Sequence, residues 1–242
     1  MSTPTRPRVL LIEDDAPIQQ FVRLALEDFA LELVVVADVA AALAALAQGP
    51  VALILSDLML PGLTGFDLVE RLAADPALRG PARIAIFSGA LDAQARARLD
   101  RPEVWRLLAK PCRLDELEAC VEEALAAAAA VPKAVPPAPQ HPAPADPIAL
   151  HFGGDAALFA AFRAACLERF GADIDEGDRA TASGDLAALH HLAHSLKTVL
   201  RMLGQPRDAS IAHALEAACA DGEADAGQAL WPALRRALAA LR

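Results

Sequence analysis

In the first half of the chain, apolar residues come in short continuous runs. Each run is followed by a stretch in which they recur every three or four positions. The runs at 8–12 (RVLLI), 33–36 (LVVV), 51–55 (VALIL), 84–87 (IAIF) and 104–108 (VWRLL) read as five strands. The periodic stretches read as helices, at about 17–29 and at 39–47, with others between and after the later strands. An unbroken apolar run fits a strand covered on both faces, and strands that alternate with helices imply parallel pairing through crossovers. The expected fold of this half is an α/β doubly wound, five-stranded parallel sheet.

The second half has only the helical period. Segments 155–170, 185–203, 206–220 and about 224–241 carry it, punctuated by Gly171, Gly184, Gly204 and Gly222. This predicts an all-α antiparallel bundle of the four-helix type. Between the halves, residues 131–147 read VPKAVPPAPQHPAPADP and hold 7 of the 18 prolines. Proline fixes φ and lacks a backbone donor, so the segment is expected to be an extended spacer, roughly 50 Å long at full stretch. The alanine run at 126–130 is expected to be the fraying end of a helix. The predicted division is a domain at 1–125, a linker at 126–147 and a domain at 148–242.

Composition narrows the function. Of the 242 residues, 55% are hydrophobic and 22% charged, enough for packed cores, while Tyr is absent and aromatics reach only 4%. The formal net charge is −10, with 12 Lys/Arg against 19 Asp/Glu in residues 1–125 and 9 against 12 in 148–242. Binding to DNA or to an anionic membrane needs a basic face, so neither is expected. Cys112, Cys120, Cys166 and Cys219 are scattered and imply neither a zinc site nor a disulfide framework. The Pro/Thr/Arg-rich opening eight residues are not a signal peptide, and no apolar stretch has membrane-spanning length, so a cytoplasmic location is expected.

Function in open parallel sheets gathers at the carboxyl ends of the strands. There the sequence places Glu13, Asp14 and Asp15 after the first strand, Ser56 and Asp57 after the third, Ser88 after the fourth, and Lys110–Pro111 after the fifth. Converging carboxylates repel one another unless a cation joins them, and hard oxygen ligands favour Mg²⁺. Lys110 and Ser88 add the positive charge and hydrogen-bond donor that a transferred phosphoryl group needs.

With Glu13–Asp14, the run DLMLPGLTG at 57–65, Ser88–Gly89 and Lys110–Pro111, this half resembles the receiver domain of two-component response regulators. The resemblance implies Asp57 as phosphoacceptor, with Glu13, Asp14, Asp57 and the Met59 carbonyl as Mg²⁺ ligands. It further implies Ser88 and Lys110 on the phosphoryl group, a cis Lys110–Pro111 peptide, and Asp15 as a helix cap. One departure is Leu107, where the family usually has Tyr or Phe, with Trp105 two positions earlier. A hydrolase of the haloacid-dehalogenase class would need a second aspartate two residues after the nucleophile, where this chain has Met59.

In the bundle, Leu186, Leu189, Ala193, Leu196, Leu200 and Leu203 form one helical stripe, and His190, His194, Lys197 and Arg201 lie opposite as a polar, basic face. A neutral imidazole there can attack phosphorus, and a lysine one turn on can offset the phosphoryl charge. His194, Lys197 and Gly204, with the downstream run ALEAACADG at 214–222, resemble the histidine-containing phosphotransfer (HPt) domain. The resemblance implies His194 as a second phosphoacceptor and sets His190, His191, His151 and His213 aside. Thr198 stands where the family usually has glycine. The run HSLKTVL also resembles the H-box of histidine-kinase dimerisation domains, which would imply a dimeric phosphotransferase, although no nucleotide-binding loop is present.

The expectation is therefore a Mg²⁺-dependent phosphorelay protein acting through Asp57 and His194. Its partners would be a sensor (hybrid) histidine kinase and a downstream response-regulator receiver. A phosphorylation-independent adaptor is the alternative from another class.

Overall fold

The computed structural model describes residues 6–129 and 146–242, which lie in two compact units. The spacer expected at 131–147 therefore lies outside the described residues up to position 145, as do residues 1–5.

The first unit contains strands β1 (Arg8–Ile12), β2 (Glu32–Val36), β3 (Leu53–Ser56), β4 (Arg83–Ser88) and β5 (Val104–Ala109). All pair in parallel, in the order β2-β1-β3-β4-β5. The three inner strands are buried almost throughout, which is why their sequences are unbroken apolar runs, while the edge strand β2 is partly exposed. The helices are α1 (Ala16–Ala25), α2 (Val39–Ala47), α3 (Gly65–Ala74), α4 (Pro76–Arg79), α5 (Ala93–Arg98) and α6 (Leu114–Ala129). Leu10, Ile12, Ile54, Ile84 and Ile86 form a core with Val39 and Leu46 of α2 and with Leu68 and Leu72 of α3. Helix α1 is shorter than the predicted 17–29, ending at Ala25. At the other end of the unit, α6 continues as regular helix through most of the alanine run.

The chain crosses back past β1 to build β3, so the winding reverses between these two strands. Such a switch point opens a crevice at the strand carboxyl ends. Strand β5 carries a bulge: Val104 faces Ile84 and Arg106 faces Ala85, leaving Trp105 as the extra residue. The Arg83 and Arg106 guanidinium groups each lie over its ring, 4.4 and 4.5 Å from the centroid. Leu107 packs partly buried against the core instead.

The second unit comprises the short α7 (Pro147–His151), then α8 (Ala156–Ser183), α9 (Leu186–Met202), α10 (Pro206–Ala220) and α11 (Ala224–Leu241). Helix α7 was not expected. Asp146 caps it by accepting from the Ile148 amide at 3.0 Å, and Pro147 sits in its first turn, where a missing N–H costs nothing. The predicted break at Gly171 is also absent, since α8 runs for 28 residues. Gly177, further along α8, has a packing reason. A Cβ there would lie 2.1 Å from ring atoms of Trp231, whose indole donates to Asp178 at 2.8 Å. Gly204 turns the chain between α9 and α10 with φ of 71°. All four cysteines are buried and unbridged, and no helix among the described residues is long and apolar enough to cross a membrane.

Candidate functional site

Register places the strand-end residues. The Asp57 amide donates to the Ile12 carbonyl at 3.0 Å, which sets Asp57 beside Glu13. The Lys110 amide donates to the Ser88 carbonyl at 2.9 Å, joining the ends of β4 and β5. The Lys110–Pro111 peptide is cis. Glu13, Asp57, Ser88 and Lys110 are all buried.

The side chains then meet around one ammonium. Lys110 Nζ donates to Asp57 Oδ2 at 2.7 Å and to Glu13 Oε2. Asp57 Oδ1 accepts from the amides of Leu58 at 2.5 Å and Met59 at 3.2 Å, so the carboxylate is fixed at both oxygens. Ser88 Oγ accepts from the Ala90 amide at 3.3 Å. Glu13 Oε1 accepts from the Asp15 amide at 3.3 Å, a bond within the turn that opens α1.

Burial pushes the Glu13 carboxyl well above its ordinary value. Lys110 opposes that shift, and the charges of Asp57 and Asp15 add to it. For Lys110, burial works against the charged form, but the charges of Asp57 and Glu13 outweigh it and raise the ammonium above its ordinary range.

Of the acids expected to converge, Glu13 and Asp57 meet at Lys110, which lies between them. No group of three or more His, Cys, Asp or Glu residues among those described is arranged to hold a metal ion. The donor types nonetheless fit a hard divalent cation. Both carboxylates reach a single point that a positive charge already occupies, and burial works against the charged form of Glu13.

Behind Asp57, Gly65 opens α3. Its amide donates to the Leu58 carbonyl at 3.0 Å, and a Cβ there would fall 2.2 Å from the Asp57 carbonyl oxygen. Thr64 caps the helix in a reciprocal box with Asp67, whose Oδ2 accepts from the Thr64 amide at 2.7 Å. The run at 57–65 therefore holds the loop after Asp57 against a helix start.

In the bundle the apolar stripe of α9 is buried as expected from Leu189 to Leu203, while Leu186 at its start is half-buried. The opposite face departs from expectation, because His194 and Lys197 are themselves buried, as is Thr198. Their polar atoms turn onto Glu216 of α10. His194 Nδ1 lies 2.5 Å from Glu216 Oε1, and Lys197 Nζ donates to Oε1 and Oε2 at 2.8 and 2.6 Å. His213, set aside on sequence, also touches this carboxylate, with Nδ1 3.3 Å from Oε2. His194 Nε2 is buried and makes no hydrogen bond. Arg201 is exposed and His190 is half-buried.

Partial burial works to raise the Glu216 carboxyl. The hydrogen bonds and charges of His194 and Lys197 overcome this and hold it below the usual carboxylate range. Glu216 was missed on sequence, although it lies within the 214–222 run that carried the resemblance.

Comparison with known proteins matches both units. A response regulator receiver domain model matches residues 9–122 and an Hpt domain model matches 160–242, in that order. The virulence sensor protein BvgS of Bordetella bronchiseptica is 29% identical over 237 residues, covering 89% of this chain. The chain spans only 19% of the length of that relative. The DNA-binding response regulator MtrA of Mycobacterium tuberculosis is 36% identical over 70 residues, covering 29% of this chain and 31% of MtrA. Among solved structures, the signal receiver domain of an HD domain-containing protein from Pseudomonas fluorescens is 27% identical. It covers 50% of this chain and 96% of its own, with a TM-score of 0.46. With a receiver domain followed by an Hpt domain, the chain belongs to the two-component phosphorelay proteins.

Proposed function

We propose that the chain passes phosphoryl groups through two acceptors, Asp57 of the receiver and His194 of the bundle. The observation that carries this reading is the pairing of each acceptor with a buried lysine in its own unit, Lys110 with Asp57 and Lys197 beside His194. Phosphoryl transfer asks mainly for positioning and for positive charge around the moving group.

At the receiver, an Asp57 carboxylate oxygen attacks phosphorus. The bond from phosphorus to the donor breaks, and its electron pair leaves with the donor. Lys110 then pairs with the phosphoryl charge, and the Ser88 hydroxyl donates to a phosphoryl oxygen. Glu13, Asp14, Asp57 and the Met59 carbonyl would hold Mg²⁺, which when bound neutralises charge on the phosphoryl oxygens. At the bundle, His194 Nε2 is the acceptor and Lys197 offsets the charge of the group it receives. A sensor (hybrid) histidine kinase would supply the phosphoryl group, and a downstream response-regulator receiver would take it.

The test uses the full chain carrying Asp57→Asn, offered a surrogate receiver already phosphorylated on its own aspartate. An acid-labile label on the chain, absent when His194→Gln is added, is the expected result. No label on the folded protein would overturn the relay and leave a phosphorylation-independent adaptor.

A further inference from the structure

We propose that a cleft between α5 and β5 is a second ligand site, which binds a guanine nucleotide with its phosphate on Arg96 and Arg101 and its base on Asp100. None of the residues that line this cleft belongs to the Asp57 site, so the two sites stand apart.

Charge marks the region first. Residues 79–106 carry 6 Lys/Arg against 3 Asp/Glu, while the rest of residues 1–125 carries 6 against 16. An acidic domain thus holds one basic segment, and a positive region on a negative body gathers anions. Arg96, Arg101 and Arg106 of that segment line one cleft of about 460 Å³, a volume typical of small-molecule sites. Like charges brought to one place repel one another unless a counter-ion joins them.

The bonds these arginines make leave donors for a ligand, since a guanidinium has five N–H groups. Arg96 donates from Nε to the Leu91 carbonyl at 3.0 Å. Arg101 Nε lies 3.8 Å from Glu103 Oε2, too far for a hydrogen bond. Arg106 is the anchored one: it donates to Glu123 at 2.6 Å, meets the Cys120 thiol and lies over the Trp105 ring. It forms a fixed cationic wall, and Arg96 and Arg101 are left to take phosphate oxygens, which a planar guanidinium fork matches two at a time.

The backbone shapes the rest. Successive residues of a regular strand point to opposite faces, yet Val104, Trp105, Arg106 and Leu107 all line the cleft. The bulge at Trp105 breaks the alternation and brings them together. Strand β5 is also an edge of the sheet, so no neighbouring strand takes the backbone groups on its outer side. The result is an apolar floor beside a cationic rim, which suits a flat base that carries a phosphate.

Asp100 selects the base. It is the one acid among the described residues that line the cleft. A carboxylate only accepts hydrogen bonds, so it disfavours a bare anion and asks for N–H donors. Guanine presents N1–H and the N2 amino group side by side, one donor for each carboxylate oxygen. Adenine has no N1–H and cannot make the pair.

The experiment uses the full chain with Trp231→Phe, which leaves Trp105 in the cleft wall as the one tryptophan. GMP, AMP and inorganic phosphate are titrated, each followed by Trp105 emission and by calorimetry, and the urea midpoint checks the fold of every variant. GMP is expected to bind saturably, with AMP and phosphate at least about tenfold weaker. Arg101→Ala is expected to weaken GMP at least about tenfold, and Asp100→Ala to bring GMP and AMP within about twofold of each other. No saturable response up to about 1 mM GMP would overturn the site. Phosphate binding as tightly as GMP would overturn the nucleotide and leave a simple anion patch. An acidic poly-glutamate peptide that binds where GMP does not would make the cleft a protein-docking surface, and that too would overturn it.

Discussion

At the scale of single residues, the receiver site is a balance of buried charge. One ammonium serves two carboxylates, with side chains 3% exposed at Lys110, 1% at Glu13 and 4% at Asp57, so none of them is rescued by water. Removing the shared cation should therefore cost far more than removing one acid. We expect Lys110→Ala to destabilise the receiver by about 3 kcal/mol, and Asp57→Asn to change stability by less than about 1 kcal/mol. Urea unfolding followed by Trp105 emission, with Trp231 replaced by Phe throughout, measures both.

Glu216 makes a second prediction with a definite sign. A carboxyl held below its ordinary value in the fold binds its proton less readily there than in the unfolded chain. Below pH 4.5, its ordinary value, the unfolded state therefore takes up more protons, and the bundle loses stability as pH falls further. Thermal melts followed by Trp231 emission in a Trp105→Phe background should show a steeper loss between pH 4.5 and about pH 3 for wild type than for Glu216→Gln. Equal slopes would count against the paired carboxylate.

At the scale of elements, two close approaches set the helices. A Cβ at Gly65 would drive into the Asp57 carbonyl oxygen, and one at Gly177 into the Trp231 ring. Each alanine substitution is expected to cost about 1–3 kcal/mol, the usual range for overpacking. They should differ in consequence. Gly65→Ala shifts the acceptor loop and should slow labelling at Asp57, whereas Gly177→Ala should lower the melting temperature of the bundle and leave Asp57 labelling unchanged.

The same elements show what a sequence can and cannot display. Asp57, Ser88 and Lys110 were legible because they end apolar strands, and strand order alone carries them to one edge. His194 and Lys197 were legible because one helix spaces them a turn apart. Glu216 was not, because it reaches His194 from another helix, 22 residues away in sequence. The bulge at Trp105 was hidden for a similar reason. One extra residue on a strand leaves its apolar run intact and changes only which face each side chain takes. Helix α8 outran its prediction because an isolated glycine weakens a helix without ending it, and packing against α11 holds this one.

At the scale of the whole molecule, an acidic chain with net charge −10 carries the two proposed acceptors, which differ in chemistry, a carboxylate and an imidazole. They make bonds of opposite lability, an acyl phosphate broken by base and a phosphoramidate broken by acid. The most direct test is intact-mass analysis of wild type, Asp57→Asn and His194→Gln after acetyl phosphate with Mg²⁺, each sample split between acid and base treatment. The account predicts a base-labile label lost in Asp57→Asn and retained in His194→Gln, together with an acid-labile label in wild type that needs both residues. An acid-labile label that persists in Asp57→Asn would contradict passage from Asp57 to His194. A base-labile label that persists there would contradict Asp57 as the acceptor.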